Sequence, residues 1–88
     1  MKDTLAVRAR LDFVRSNPPK NEYDTIVYNS RIQLLCWIYN DGKLRTDSEM
    51  ETRRNTINEE VIVYETMGNM YDDLKVARAM LKDIEAVM

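Results

Sequence analysis

Two prolines, adjacent at positions 18 and 19, and two glycines, at 42 and 68, are the only backbone-breaking residues in this 88-residue chain. Proline fixes φ and lacks a backbone N–H, and glycine costs a helix interior about 1 kcal/mol relative to alanine. So few of them favour long regular elements over many turns. Between them, apolar residues recur at helical spacing. The expected fold class is all-α: a short N-terminal helix followed by long antiparallel helices in a helical hairpin. One domain is expected over residues 1–88, with helices over about residues 3–15, 21–40, 47–67 and 69–88.

In the first segment Asp3 can cap the helix start, and Leu5, Ala6, Ala9 and Phe13 form its expected apolar face. The second segment carries two stripes. Tyr23, Ile26, Val27, Leu34, Trp37 and Ile38 make one; Tyr28, Ile32, Leu35, Cys36 and Tyr39 make the other. A surface helix of a monomer needs only one apolar stripe. Two stripes predict a helix covered on both sides, and in so small a chain the second cover is another subunit. A chain of this length buries roughly 60–65% of its unfolded surface, so burial against copies of itself is worth much. A homo-oligomer is therefore expected.

Asn40-Asp41-Gly42 signals a turn, and Thr46 with Glu49 fits a capping box at the start of the third helix. Met50, Ile57, Val61 and Tyr64 mark its inner face. The run Val61-Ile62-Val63-Tyr64 has strand propensity but no partner strand, so helix is expected there too. Gly68 predicts either a kink or a stop and restart. Beyond it Met70, Leu74, Ala77, Leu81, Ile84 and Met88 alternate steps of four and three, a seam suited to another helix.

The single cysteine, Cys36, cannot build an internal disulfide framework and is expected in the core. No apolar run is long enough for a bilayer, and the first residues lack the apolar centre of a signal peptide. A cytoplasmic protein without a membrane association is the resulting expectation. Net charge is −2 but unevenly spread. Residues 1–20 hold five basic and two acidic groups, a net of +3; residues 47–88 hold five basic and ten acidic, a net of −5. A basic end can dock an anionic ligand, and the asymmetry can also guide subunit packing.

The chain has no histidine, no glycine-rich phosphate loop and no other evident catalytic set. The acidic pairs Glu59-Glu60 and Asp72-Asp73 are helix neighbours about 100° apart, so neither forms a ready-made dyad. A non-enzymatic protein without cofactor or metal is expected. Two basic clusters remain: Arg8, Arg10 and Arg15 on the first helix, and Arg53-Arg54 on the third. Guanidinium binds phosphate in bidentate fashion. Overall acidity argues against duplex nucleic acid, but a small ligand with two or three phosphates needs only a local basic pocket.

The segment Phe13-Val14-Arg15-Ser16-Asn17-Pro18-Pro19-Lys20, an aromatic residue followed by an Asn-Pro-Pro-Lys junction between two helices, resembles the anti-CBASS sponge family of phages. Thr56-Ile57-Asn58-Glu59-Glu60 is similar to that family's Thr-x-x-Glu-Glu stretch, and the likeness spans roughly residues 10–65. The resemblance implies a small helical protein assembled as a homo-hexamer in the cytoplasm of the infected bacterial host. It implies sequestration, without cleavage, of the cyclic oligonucleotides that activate CBASS immunity. Lys20 corresponds to a lysine that contacts the phosphate of a cyclic dinucleotide bound between two subunits. The rigid Pro18-Pro19 pair would present it with little freedom left to lose.

Two positions depart from the family. Where the family stacks a tyrosine on a base, this chain has Leu5; an apolar contact there, or Arg8 laid over the base, could take its place. Where the family uses an arginine for cyclic trinucleotides, this chain has Glu49, with Arg53 or Arg54 about one turn further on. The candidate ligand-binding set is thus Lys20, Pro18, Pro19, Arg8, Leu5, Arg53 and Arg54, with cyclic dinucleotides such as 3′,3′-cyclic GMP-AMP as ligands and cyclic trinucleotides as a further class. A two-fold ligand suits a two-fold site between identical subunits. The competing expectation is an oligomeric protein–protein interaction module of a phage, docking through the acidic last helix or the apolar second one. A weaker third is an arginine-bearing nucleic-acid accessory protein.

Overall fold

The computed structural model describes residues 4–88. Helix α1 spans Thr4–Arg15, α2 Glu22–Ile38, α3 Asp47–Met67 and α4 Tyr71–Ala86. The fold is all-helical apart from a two-residue antiparallel ladder, β1 (Tyr39–Asn40) with β2 (Lys43–Leu44), between α2 and α3. Helix α4 packs against both α2 and α3, and α1 packs against α2. The short connection over residues 68–70 makes α3 and α4 a helical hairpin. The molecule is a slab of 38 × 30 × 17 Å. At that thickness each helix keeps one face in water.

The expected capping residue Asp3 lies outside the described residues. The inner face of α1 is not the one expected. Val7, Leu11 and Val14 are buried, while Leu5, Ala9 and Phe13 are exposed and Ala6 is half-buried. Two valines and a leucine bury more apolar area than a face built half of alanine. At the far end the Ser16 hydroxyl and the Asn17 amide donate to the carbonyls of Asp12 and Phe13, at 2.7 and 3.0 Å. These bonds close the helix before Pro18.

Asn21 caps α2 by accepting from the Asp24 amide at 2.9 Å. The helix ends at Ile38, two residues earlier than expected. Asp41 and Gly42 both adopt left-handed backbone (φ 51° and 78°), the pairing that closes a two-residue hairpin. That turn draws Tyr39 and Asn40 out of the helix and into the ladder. Of the two stripes on α2, Leu34, Leu35 and Ile38 are buried. Val27, Tyr28, Ile32, Trp37 and Tyr39 are half-buried. Tyr23, Ile26 and Cys36 are exposed, which corrects the expectation of a core cysteine. Cys36 lies about 100° round the helix from Leu35, and within one chain nothing covers that side.

Helix α3 begins and ends as expected. The Thr46 hydroxyl accepts from the Glu49 amide at 3.1 Å, and the Glu49 carboxylate accepts from the Thr46 amide at 3.1 Å. The Thr46 backbone N–H first, and then the Thr46 hydroxyl donating to the same carboxylate at 3.1 Å, hold the Glu49 carboxyl below its ordinary value of 4.5. A carboxyl lowered in the folded state stabilises above its unfolded value, and loses that contribution as pH falls through the folded one. The melting-temperature gap between the native chain and Glu49→Ala is expected at neutral pH and closes below pH 4.5. A gap that persists unchanged in acid would rule out the carboxylate as its source.

Val61 to Tyr64 are helical, with Met50, Ile57 and Val61 buried. Gly68 then stops the helix in left-handed conformation (φ 74°), its N–H bonded to the Tyr64 carbonyl at 3.2 Å. An added Cβ there would meet nothing within 4 Å, so a substitution is strained by backbone conformation alone. Gly68→Ala is expected to cost about 1–2 kcal/mol in urea denaturation, and Gly68→Asn less. Equal costs for the two would contradict this.

Candidate functional site

The expected seam on α4 packs inward, with Ala77 and Ile84 buried and Met70, Leu74 and Leu81 half-buried; Met88 lies at the edge, 38% exposed. Beside it runs a second row at the same spacing: Val76, Met80, Asp83 and Val87. Among the described residues Asp83 is the one buried polar residue, with no exposed surface. Its carboxylate accepts from Arg31 Nε at 2.8 Å and Arg31 Nη2 at 2.8 Å, a bidentate pair. It also accepts from Arg10 Nε at 2.8 Å. These bonds join α1, α2 and α4 at one point. The Asp83 hydrogen bonds raise the Arg31 guanidinium above its ordinary value, against the opposing effect of burial.

One carboxylate faces two guanidiniums, so the cluster carries an uncompensated positive charge. Each arginine side chain keeps about a fifth of its surface exposed. Arg31 is exposed in a cleft of about 350 Å³ at the junction of α1 and α2. Pro18, Pro19, Lys20, Tyr28 and Lys75 line the same cleft. Lys75 pairs with Asp24 at 3.1 Å, and Lys20 makes no ion pair among the described residues. Counting Arg10 and the buried Asp83 behind the wall, four cations meet two carboxylates. Such a cleft can hold an anion: Lys20 offers a mobile ammonium, and Arg31 a guanidinium fixed by Asp83.

Compared with known proteins, the chain matches no family model, no curated protein sequence and no solved structure.

Lys20, Pro18 and Pro19 thus share one cleft, and the other four candidate residues lie outside it. Leu5 is 72% exposed and Arg8 is exposed on the flank of α1 away from Arg10. Residues two apart on a helix point about 200° apart, so Arg8, Arg10 and Arg15 are not one cluster. Arg53 lies over the Trp37 ring, 5.5 Å from its centroid, on a ring that also carries Arg45 at 4.6 Å. Arg54 reaches Glu85 on α4 at 4.0 Å, and its Nε is buried without a hydrogen-bond partner. Both arginines tie α3 to its neighbours. Among the described residues no group of three or more His, Cys, Asp or Glu side chains could hold a metal ion, and no helix is long and apolar enough to cross a membrane.

Sequence reasoning missed Arg31, Lys75 and Asp83. Asp83 left a signal: it interrupts the apolar row Val76–Met80–Val87 at the spacing of a buried face, where an unpaired carboxylate is too costly to stand alone. That row asks for buried cations elsewhere, and Arg31 is the lone charge within the apolar part of α2.

Proposed function

We propose that the chain binds cyclic dinucleotide messengers and sequesters them without cleavage, blocking CBASS anti-phage signalling in the cytoplasm of an infected bacterium. The observation that carries this reading is the position of Lys20. It follows a rigid proline pair and opens onto a cleft whose wall is the Asp83-fixed Arg31. A phosphodiester set there meets one flexible and one fixed cation, and Tyr28 supplies an aromatic neighbour for a base.

One chain presents a single Lys20, whereas a cyclic dinucleotide has two phosphates related by near two-fold symmetry. A second copy of the chain completes the site, and a homo-hexamer would hold several. Tyr23 and Ile26, exposed on α2 near the cleft, are apolar surface that such an assembly would cover. Cyclic trinucleotides fit less well, because Arg53 and Arg54 are engaged away from Lys20.

The function is mass action: excess protein lowers free messenger below what its receptor needs. Mixed with excess protein, 3′,3′-cyclic GMP-AMP is expected to vanish from an ultrafiltrate and return chemically intact after heat denaturation. Recovery of a linear product would mean cleavage instead of sequestration. A second reading, a protein-interaction module, draws on the exposed Ile62, Val63 and Met67 of α3. It expects no retention of the nucleotide at all.

A further inference from the structure

Arg31 and Lys75 also line a second, larger groove of about 590 Å³, lined by residues of α1, α2 and α4. Arg10 and Arg31 belong to its lining, with Arg78 and Lys82 on the α4 side and Phe13 and Tyr71 as aromatic walls. No acidic residue lines it.

Three features of this groove point to one ligand chemistry. First, Asp83 takes one N–H from Arg10 and two from Arg31. A guanidinium has five donors, so most remain for a ligand, on side chains already held still. Second, Lys82 makes no ion pair among the described residues. Lys75 and Arg78 are paired only at the surface, to Asp24 at 3.1 Å and Glu65 at 2.8 Å. Exposed pairs of this kind are worth little and exchange readily for a phosphate. Third, Tyr71 is 76% exposed and Phe13 51% exposed, the latter under the Arg10 guanidinium at 4.7 Å. Exposed aromatic rings among cations are the surface on which bases stack while phosphates are held.

We infer that this groove binds a nucleoside di- or triphosphate, its base against Tyr71 and its phosphates on Arg10, Arg31 and Lys82. Several cations in one place call for more than one phosphate, and an exposed ring on the wall calls for a base. The groove shares Arg31 and Lys75 with the cleft at Lys20, but its other lining residues are its own, and its binding needs nothing bound at Lys20.

The test is calorimetric titration of the full chain with ATP, with tripolyphosphate and with adenosine. ATP is expected to bind saturably, with tripolyphosphate at least about tenfold weaker and adenosine weaker still. Tyr71→Ala is expected to weaken ATP about tenfold and leave tripolyphosphate unchanged, as base stacking lost without charge would do. Lys82→Glu is expected to weaken both phosphate ligands. Both positions are exposed, and circular dichroism checks that the variants stay folded. No saturable ATP binding would overturn the inference. So would equal binding of ATP and tripolyphosphate with no effect of Tyr71→Ala, because the groove would then be a plain polyanion surface.

Discussion

Asp83→Ala is expected to destabilise the chain by about 3 kcal/mol, a melting-temperature drop of roughly 12–24 °C for a domain of this size. Asp83 has no exposed surface and accepts three hydrogen bonds from two arginines. Removing it leaves two half-buried guanidiniums facing each other with no counter-charge. Their residual exposure, about a fifth each, keeps the cost at the lower end for a broken buried pair. The effect comes mainly from stranded charge. Arg31→Met, which breaks two of the bonds, is therefore expected to cost more than Arg10→Met, which breaks one. In the Asp83→Ala background Arg10→Met is expected to recover stability by removing one of the two stranded charges. Urea denaturation of the four proteins measures this cycle. An additive result would show that the three side chains are not one unit.

The second large effect is at Leu35. Leu35→Ala is expected to cost about 2–5 kcal/mol, since the side chain is fully buried in the cluster that joins α1, α2, α3 and α4. The adjacent Cys36→Ala is expected to cost under about 0.5 kcal/mol, because Cys36 faces outward. The two costs together fix the rotation of α2. Similar costs at both positions would mean that the helix is turned so that Cys36 shares the core.

Which parts of the fold were legible in the sequence follows from how local their causes are. The capping box at Thr46, the turn at Asp41-Gly42, the stop at Gly68 and the inner face of α3 are set by neighbours in the chain, and each could be read there. The face of α1 could not. Leu5, Ala6, Ala9 and Phe13 satisfy helical spacing as well as Val7, Leu11 and Val14 do, and only packing against α2 separates them. The end of α2 depended on a two-residue ladder whose strands are too short to show any alternation. The Asp83 cluster was beyond local reading: its residues are separated by 52 and 73 positions. Of the candidate site, Pro18, Pro19 and Lys20 were found through one short motif. Their cationic neighbours Arg31 and Lys75 reach the cleft only through the tertiary fold.

Calorimetric titration with 3′,3′-cyclic GMP-AMP, on the native chain and on Lys20→Ala at matched oligomeric mass, tests the central claim most directly. Tight saturable binding at one nucleotide per two chains is expected, with a loss of at least about tenfold in the variant, because each bound phosphate forfeits a charge-assisted contact. Absence of heat and of thermal stabilisation in the native chain, or binding that Lys20→Ala leaves untouched, would contradict it.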